Sequence, residues 1–321
     1  MDERPPTTNA AAGSAAPDAL FRAHARGLWG LAYRLTGSAE DAEDIVQESF
    51  ARLLERPPAG DAPLRPWLVR VATNLGIDAL RRRRRRAYAG TWLPAPAEAP
   101  AGELEACLAS AEPDPEARYG LLESATYAFL LALEALGSRQ RAALLLRDVL
   151  GCSAAETAEA LGTSEGNVRV LHLRARRALE HYDRTRCVPT PELCARHRSA
   201  LERLLGALLA QDAEGLESAL AESVEAATDG GGAYTALAAP LRGRARVARF
   251  FLRAALHRRT SHPTTEIRIV NGLPAAVIAL GAPVRRQAPL TVLRCELDPE
   301  GRIRVLHAVL APRKLRALAR P

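Results

Sequence analysis

Lysine is all but missing from this chain. Lys314 stands alone among 44 basic residues, so the positive charge is almost wholly arginine. The five cysteines, at 107, 152, 187, 194 and 295, form no CxxC pair, which tells against a disulfide framework and suits reduced thiols. Cys187, Cys194 and His197 are too poorly spaced for a metal site, and none is expected. No apolar run approaches the ~18 residues that would cross a bilayer. The first 17 residues lack the basic stretch and apolar core of a secretory signal and read as a disordered leader. These absences point to a soluble chain that stays in the cytoplasm. At 321 residues it has room for two or three domains.

What is present in quantity is arginine, giving a formal charge of +7. Abundant Arg, Ala, Pro and Gly also match the codon bias of a GC-rich genome, so placement says more than number. The telling placement is Ser153 to His181. Ser153 and Ser164 can cap two short helices, Gly162 can stop the first, and Leu161 with Val168 can close the angle between them. Projected at 100° per residue, Val168, Leu171, Ala175, Ala178 and Leu179 of the second helix share a face, and Arg169, Arg174, Arg176 and Arg177 spread opposite. Such a helix fits a DNA major groove. A merely solvated arginine surface has the same pattern. Val170 and Leu173 fall toward the arginines, where either could meet a thymine methyl or a neighbouring domain.

Ahead of this motif, residues 18–90 form a first helical unit. Leu28, Leu31 and Leu35 mark the buried side of a helix ending at Gly37. Ser38 caps the next, in which Val46, Phe50 and Leu53 make one stripe while Asp41, Asp44 and Glu48 line the other side. The acidic line faces solvent or a basic partner. After a proline-bracketed loop, Pro66 opens a third helix. Trp67, Val71 and Leu75 can pack inward, leaving Arg70, Asn74 and the run Arg81 to Arg86 outside, with duplex phosphates as the natural counter-ion.

DAEDIVQESFARLL with WLVRVATNLGIDALRRRRRR resembles region 2 of the bacterial extracytoplasmic-function sigma factors, and LLLRDVLGCSAAETAEALGTSEGNVRVLHLRARRAL resembles their region 4, here over residues 119–186. The resemblance implies that Asp41, Asp44, Gln47 and Glu48 dock on core RNA polymerase, whose clamp and flap would be the partners. It implies that Arg65, Trp67, Arg70, Asn74, Arg81 and Arg82 serve the minus-ten element. Ser164, Glu165, Asn167, Arg169, Val170, Arg174, Arg176 and Arg177 would serve the minus-thirty-five element of promoter DNA. It implies no catalytic residue, cofactor or membrane. Residues 91–118 form a Pro/Ala-rich acidic linker, with six acids between Thr91 and Gly120 against Arg118 alone.

The linker opens on Trp92-Leu93-Pro94-Ala95-Pro96, similar to the WLPEP motif of a sigma subgroup with a C-terminal extension. Residues 192–321 supply that extension: a helix from Leu193, a second helical stretch to Glu222, a third at GRARVARFFLRAALHRR, then four alternating runs that predict an antiparallel sheet. This α+β domain resembles the SnoaL-like cone-shaped barrel. Asp229, Gly230, Gly231 and Gly232 match the start of DGGGK, and Pro312, Lys314 and Leu315 match NPDKL. With Trp92, Leu93 and Pro94 they are the implied interdomain regulatory contacts, although Ala95, Ala233, Ala311 and Arg313 replace usual polar residues. The fold class is then mainly α over the first two-thirds, plus the α+β cone. The alternative is a DNA-binding regulator whose cone senses or converts a small ligand through Asp229, His257, His262 or His307.

Overall fold

The computed structural model describes residues 17–58, 63–86, 88, 90–98, 126–184, 188–316 and 318. The leader, Cys187 and the linker beyond residue 98 lie outside that set. Three helices open the chain: α1 (Pro17–Thr36), α2 (Ala39–Glu55) and α3 (Leu64–Arg85). The Ser38 hydroxyl accepts the Asp41 N–H at 3.1 Å and starts α2. Pro66 falls in the first turn of α3, not at its first residue; its missing N–H is one that the turn leaves unpaired anyway.

The second helical set is α4 (Tyr127–Leu133), α5 (Ser138–Leu144) with a π-helical turn at Leu145–Val149, α6 (Ala154–Leu161), α7 (Glu165–Ala178) and α8 (Glu180–Arg184). Ser153 and Glu156 close a reciprocal cap at the start of α6, and Gly162 ends it at φ +58°, a left-handed backbone that a Cβ disfavours. The two sets do not keep separate cores. Leu35, Leu68, Ile77 and Leu80 bury against the same cluster as Leu130, Leu133, Leu136 and Leu146.

The last part of the chain is α9 (Pro191–Ala210), α10 (Ala213–Ala219), β1 (Leu220–Asp229), β2 (Leu241–Arg242), α11 (Arg244–Arg258), β3 (Pro263–Val270), β4 (Leu273–Leu280), β5 (Leu290–Leu297), β6 (Ile303–Val309) and a 3-10 turn at Pro312–Leu315. The strands make one mixed sheet in the order β2-β1-β6-β5-β4-β3, with β1 parallel to β6 and the other pairs antiparallel. One face takes the helices, with Leu201, Leu204, Leu216, Val247 and Phe251 against Val224, Leu293 and Leu306. The other face carries Ala275, Val277, Val292 and Val309 and receives Leu93 and Tyr127 from the preceding part of the chain.

Sequence patterning predicts four strands and a helix reaching Glu222, whereas the helix stops at Ala219 and LAESVEAATD is β1. Ala and Glu favour a helix locally. Pairing with β6 and burial of Val224 and Ala226 override that preference.

Gly76 of α3 faces Leu35 of α1. A Cβ there would sit 2.3 Å from Leu35 Cδ2. Gly76→Ala gains about 1 kcal/mol of helix propensity but forces overpacking worth about 1–3 kcal/mol. A net loss of stability is therefore expected in denaturant unfolding, and a gain would place Leu35 elsewhere.

Candidate functional surfaces

The acidic line of α2 is largely open. Asp44, Gln47 and Glu48 are exposed opposite the buried Ile45, Val46, Ser49 and Phe50, while Asp41 is half-buried near the start of the helix. Glu48 pairs with Arg52 at 2.8 Å within the helix, an exposed contact worth little. Glu40 pairs with Arg316 at 3.1 Å, so the C-terminal domain touches the N-terminal end of this face.

The α3 surface is divided. Arg65, Arg81 and Arg82 are exposed, and Trp67 is half-buried against the helical core. Asn74 Nδ2 donates to the Ala160 carbonyl at 3.2 Å and Arg70 lies 3.9 Å from Glu159, both on α6. The arginine run is not uniformly free. Arg83 donates to the Thr36 carbonyl at 2.7 Å, pairs with Glu134 and stacks 3.8 Å over Trp92; Arg84 donates to the Leu136 carbonyl at 2.6 Å. These two hold the helical sets together, against the expectation that the whole run is available.

Helix α7 displays Ser164, Glu165, Asn167, Arg169, Val170, Arg174 and Arg177 to solvent. The Ser164 hydroxyl accepts the Asn167 N–H at 3.3 Å, and Arg169 pairs with Glu165 at 2.9 Å. Arg176 is exposed as well but is also paired with Asp148 at 2.7 Å and Asp183 at 3.7 Å, outside its own helix. Ala178 is exposed, not part of the buried stripe.

Residues 91–98 run extended between the two halves, and both halves bond to them. The Tyr33 hydroxyl donates to the Ala95 carbonyl at 2.6 Å, the Ala95 N–H to Gly37 at 2.8 Å, and the Tyr127 hydroxyl to Pro94 at 2.9 Å. On the sheet side Ala97 exchanges two bonds with Asn271, at 3.1 and 2.9 Å, and Arg268 reaches Glu98 at 3.2 Å.

The centre of this clasp is Asp229, wholly buried at the end of β1. Its carboxylate accepts from Lys314 Nζ at 2.6 Å, the Leu93 N–H at 2.9 Å, the Tyr88 hydroxyl at 2.5 Å and the Gly231 N–H at 3.0 Å. Lys314 also donates to the Leu93 carbonyl and lies 4.1 Å over Trp92. Burial lowers its amine to about 8 despite the neighbouring carboxylate, and burial with the Asp229 bond pushes the Tyr88 phenol up. Leu315 and Gly230 are buried beside the pair, whereas Gly232 and Pro312 are exposed.

The candidate acid–base residues do not assemble around one cavity: His257 and His262 are exposed, His307 lies against Tyr127, and Asp229 is saturated. His197 faces Cys295 Sγ at 3.8 Å, while Cys194 Sγ meets the Gly272 carbonyl. Sequence reading also passed over Tyr33, Tyr88, Tyr127, Asn271, Glu134 and the buried Arg141. The Arg141 guanidinium donates to Leu35 at 2.9 Å, Leu133 at 2.6 Å and Glu134 at 2.8 Å. The Asn271-Gly272 turn was the one local sign of any of them.

Removing one partner of a buried ion pair costs about 3–5 kcal/mol. Asp229→Ala is expected to lose that much in denaturant unfolding followed by Trp fluorescence, and a loss below about 1 kcal/mol would mean that Asp229 does not hold the halves. Burial holds His197 near 4 and, with Arg294, His307 near 3. Between pH 6.5 and those values an unfolded chain takes up protons that the fold refuses, so stability falls as pH drops through that window. His197→Leu should flatten the thermal midpoint against pH there; an unchanged slope would count against the assignment.

Residues 20–86 match the Sigma-70 region 2 family model and residues 127–179 match Sigma-70, region 4. The chain is 37% identical over 239 residues to the ECF RNA polymerase sigma factor SigJ of Mycobacterium tuberculosis, covering 72% of this chain and 71% of SigJ. It is 42% identical over 207 residues to SigG of the same species, covering 57% and 56%. The crystal structure of SigJ superposes with a TM-score of 0.68 at 30% identity, over 94% of this chain and 98% of that one, so the likeness takes in the C-terminal sheet domain. Apart from the start of α1 and the short α8, both helical sets fall within the matched regions, and the chain belongs to the extracytoplasmic-function sigma factors of RNA polymerase, which serve transcription initiation and are not enzymes.

Proposed function

We propose that this sigma factor directs core polymerase to specific promoters and that its C-terminal domain restrains it by holding the two sigma regions closed. The observation that carries the proposal is the clasp, in which one segment, residues 91–98, bonds to α1, to α4 and to the sheet domain at once. The exposed acids of α2 would meet a basic clamp surface on polymerase, and the cationic face of α7 would enter the minus-thirty-five major groove. The minus-ten face of α3 is partly covered, since Asn74 and Arg70 contact α6. Promoter opening would need that contact undone. Bases flipped into protein pockets would then offset an unpairing cost of a few kcal/mol each. Work on promoters would put the protein in the cytoplasm.

A ligand-sensing or enzymatic cone is the weaker reading, because the helix-facing side of the sheet is filled by leucine, alanine and phenylalanine side chains. A cleft of about 240 Å³ between Tyr234, Leu290, Leu310 and Leu315 falls short of the about 300–1,000 Å³ of small-molecule sites.

Run-off transcription with core polymerase tests the proposal. Reversing Asp44 and Glu48 to lysine is expected to weaken core binding at least about tenfold without changing the thermal midpoint. Replacing Arg169, Arg174 and Arg177 with alanine should keep core binding and remove the promoter-specific transcript. Asp229→Asn should raise the transcript. No protein-dependent transcript from the wild-type chain would overturn the reading.

A further inference from the structure

Arg294 stands in β5 on the outer sheet face, 2% exposed. Neither its Nε nor its Nη1 finds an acceptor among the described residues. What covers it is a ring: the guanidinium carbon lies 4.0 Å from the centroid of Tyr127, the first residue of α4. His307, its register partner on β6, packs 6.0 Å from the same ring and offers no counter-charge. Among the described residues, the nearby acids pair elsewhere, Glu296 with Arg304 at 2.7 Å and Asp229 with Lys314.

A guanidinium carries five donors and does not deprotonate in proteins. A stacked ring returns part of what dehydration takes away, but a buried guanidinium whose Nε and Nη1 meet no acceptor among the described residues is left with an unfavourable term. That term exists only while α4 lies on the sheet. If α4 moves off, Tyr127 goes with it and water reaches the guanidinium. Tyr127 is otherwise well held, fully buried with its hydroxyl on the Pro94 carbonyl, so the ring is a fixed lid over the cation.

We propose that Arg294 loads the closed arrangement: its dehydration under Tyr127 works against the Asp229–Lys314 clasp and keeps region 4 ready to leave the sheet. The inference rests on the reading of the C-terminal domain as a restraint. An arrangement held on one side and loaded on the other can be shifted by a partner with modest preference for the open form.

The test uses the full chain carrying Arg294→Met, which keeps length and removes charge. A higher thermal midpoint is expected together with a roughly tenfold loss of transcript at limiting protein, as when a buried ionic group is replaced by an apolar one and the closed state gains. The opposite signs set this apart from an ordinary structural residue, whose loss would lower both. A lower midpoint in a folded variant, or a higher one with transcript unchanged, would overturn the inference. Should Arg294→Met fail to fold, Arg294→Lys replaces it. A buried amine sheds its proton where a guanidinium cannot, so its transcript relative to wild type should fall between pH 7 and 9, and a flat ratio would overturn the inference. Asp229→Asn separates the two claims. If it leaves transcription unchanged the restraint itself fails; if it raises transcription while Arg294→Met does not lower it, only the loading fails.

Discussion

Asp229 is wholly buried at the end of β1, and a carboxylate there is tolerated only if its lone pairs are met. Its donors come from separate stretches of chain: Lys314 after the last strand, Tyr88 after α3, the Leu93 N–H in the connecting segment and the Gly231 N–H in the following turn. Apart from Gly231, two residues on, these donors reach Asp229 through tertiary packing and not through local chain geometry. Satisfying one charge therefore fixes where the sheet domain sits against the sigma regions, and Lys314, the single lysine, reaches it because a flexible four-carbon stem carries a compact cation into the gap.

Arginine does the complementary work inside the sigma half. Arg83 and Arg141 both bond Glu134, and between them they take the carbonyls of Thr36, Leu35 and Leu133. Those carbonyls sit at helix ends, where the last turns leave acceptors unpaired. A planar fork of donors suits several fixed acceptors better than an ammonium would. The arginine run thus has two functions by position: Arg81 and Arg82 are exposed, whereas Arg83 is half-buried and Arg84, though exposed, donates to the Leu136 carbonyl.

The helix-turn-helix and the region 2 helices were legible because their determinants are local: hydroxyl caps at Ser38, Ser153 and Ser164, the left-handed Gly162, and apolar stripes at helical spacing. Strand β1 was not, since its alanines and glutamates favour a helix until β6 lies beside them. Asp229 and Lys314 could be singled out through a family resemblance, but Tyr33, Tyr88 and Asn271 could not. Their roles depend on partners 62, 141 and 174 residues away. Arg176 lies on the cationic, exposed face that the projection gives it, but its pairing with Asp148 and Asp183 comes from elements the projection does not contain.

Helix α4 belongs to two cores at once. Phe129, Leu130 and Leu133 bury with the sigma helices, while Tyr127 buries with the sheet. A short helix divided in this way cannot leave one side without disturbing the other, so separation of region 4 from the sheet and separation of region 4 from region 2 are coupled through it. Apolar burial alone would make such a junction tighter with every added contact. On the proposed reading, the ion pair at Asp229 and the guanidinium of Arg294, whose Nε and Nη1 meet no acceptor among the described residues, act with opposite sign on the same junction, and both depend on excluding water from it. Admitting water would relieve one and weaken the other, which is what the proposed restraint requires if it is to hold when shut and still open to a partner.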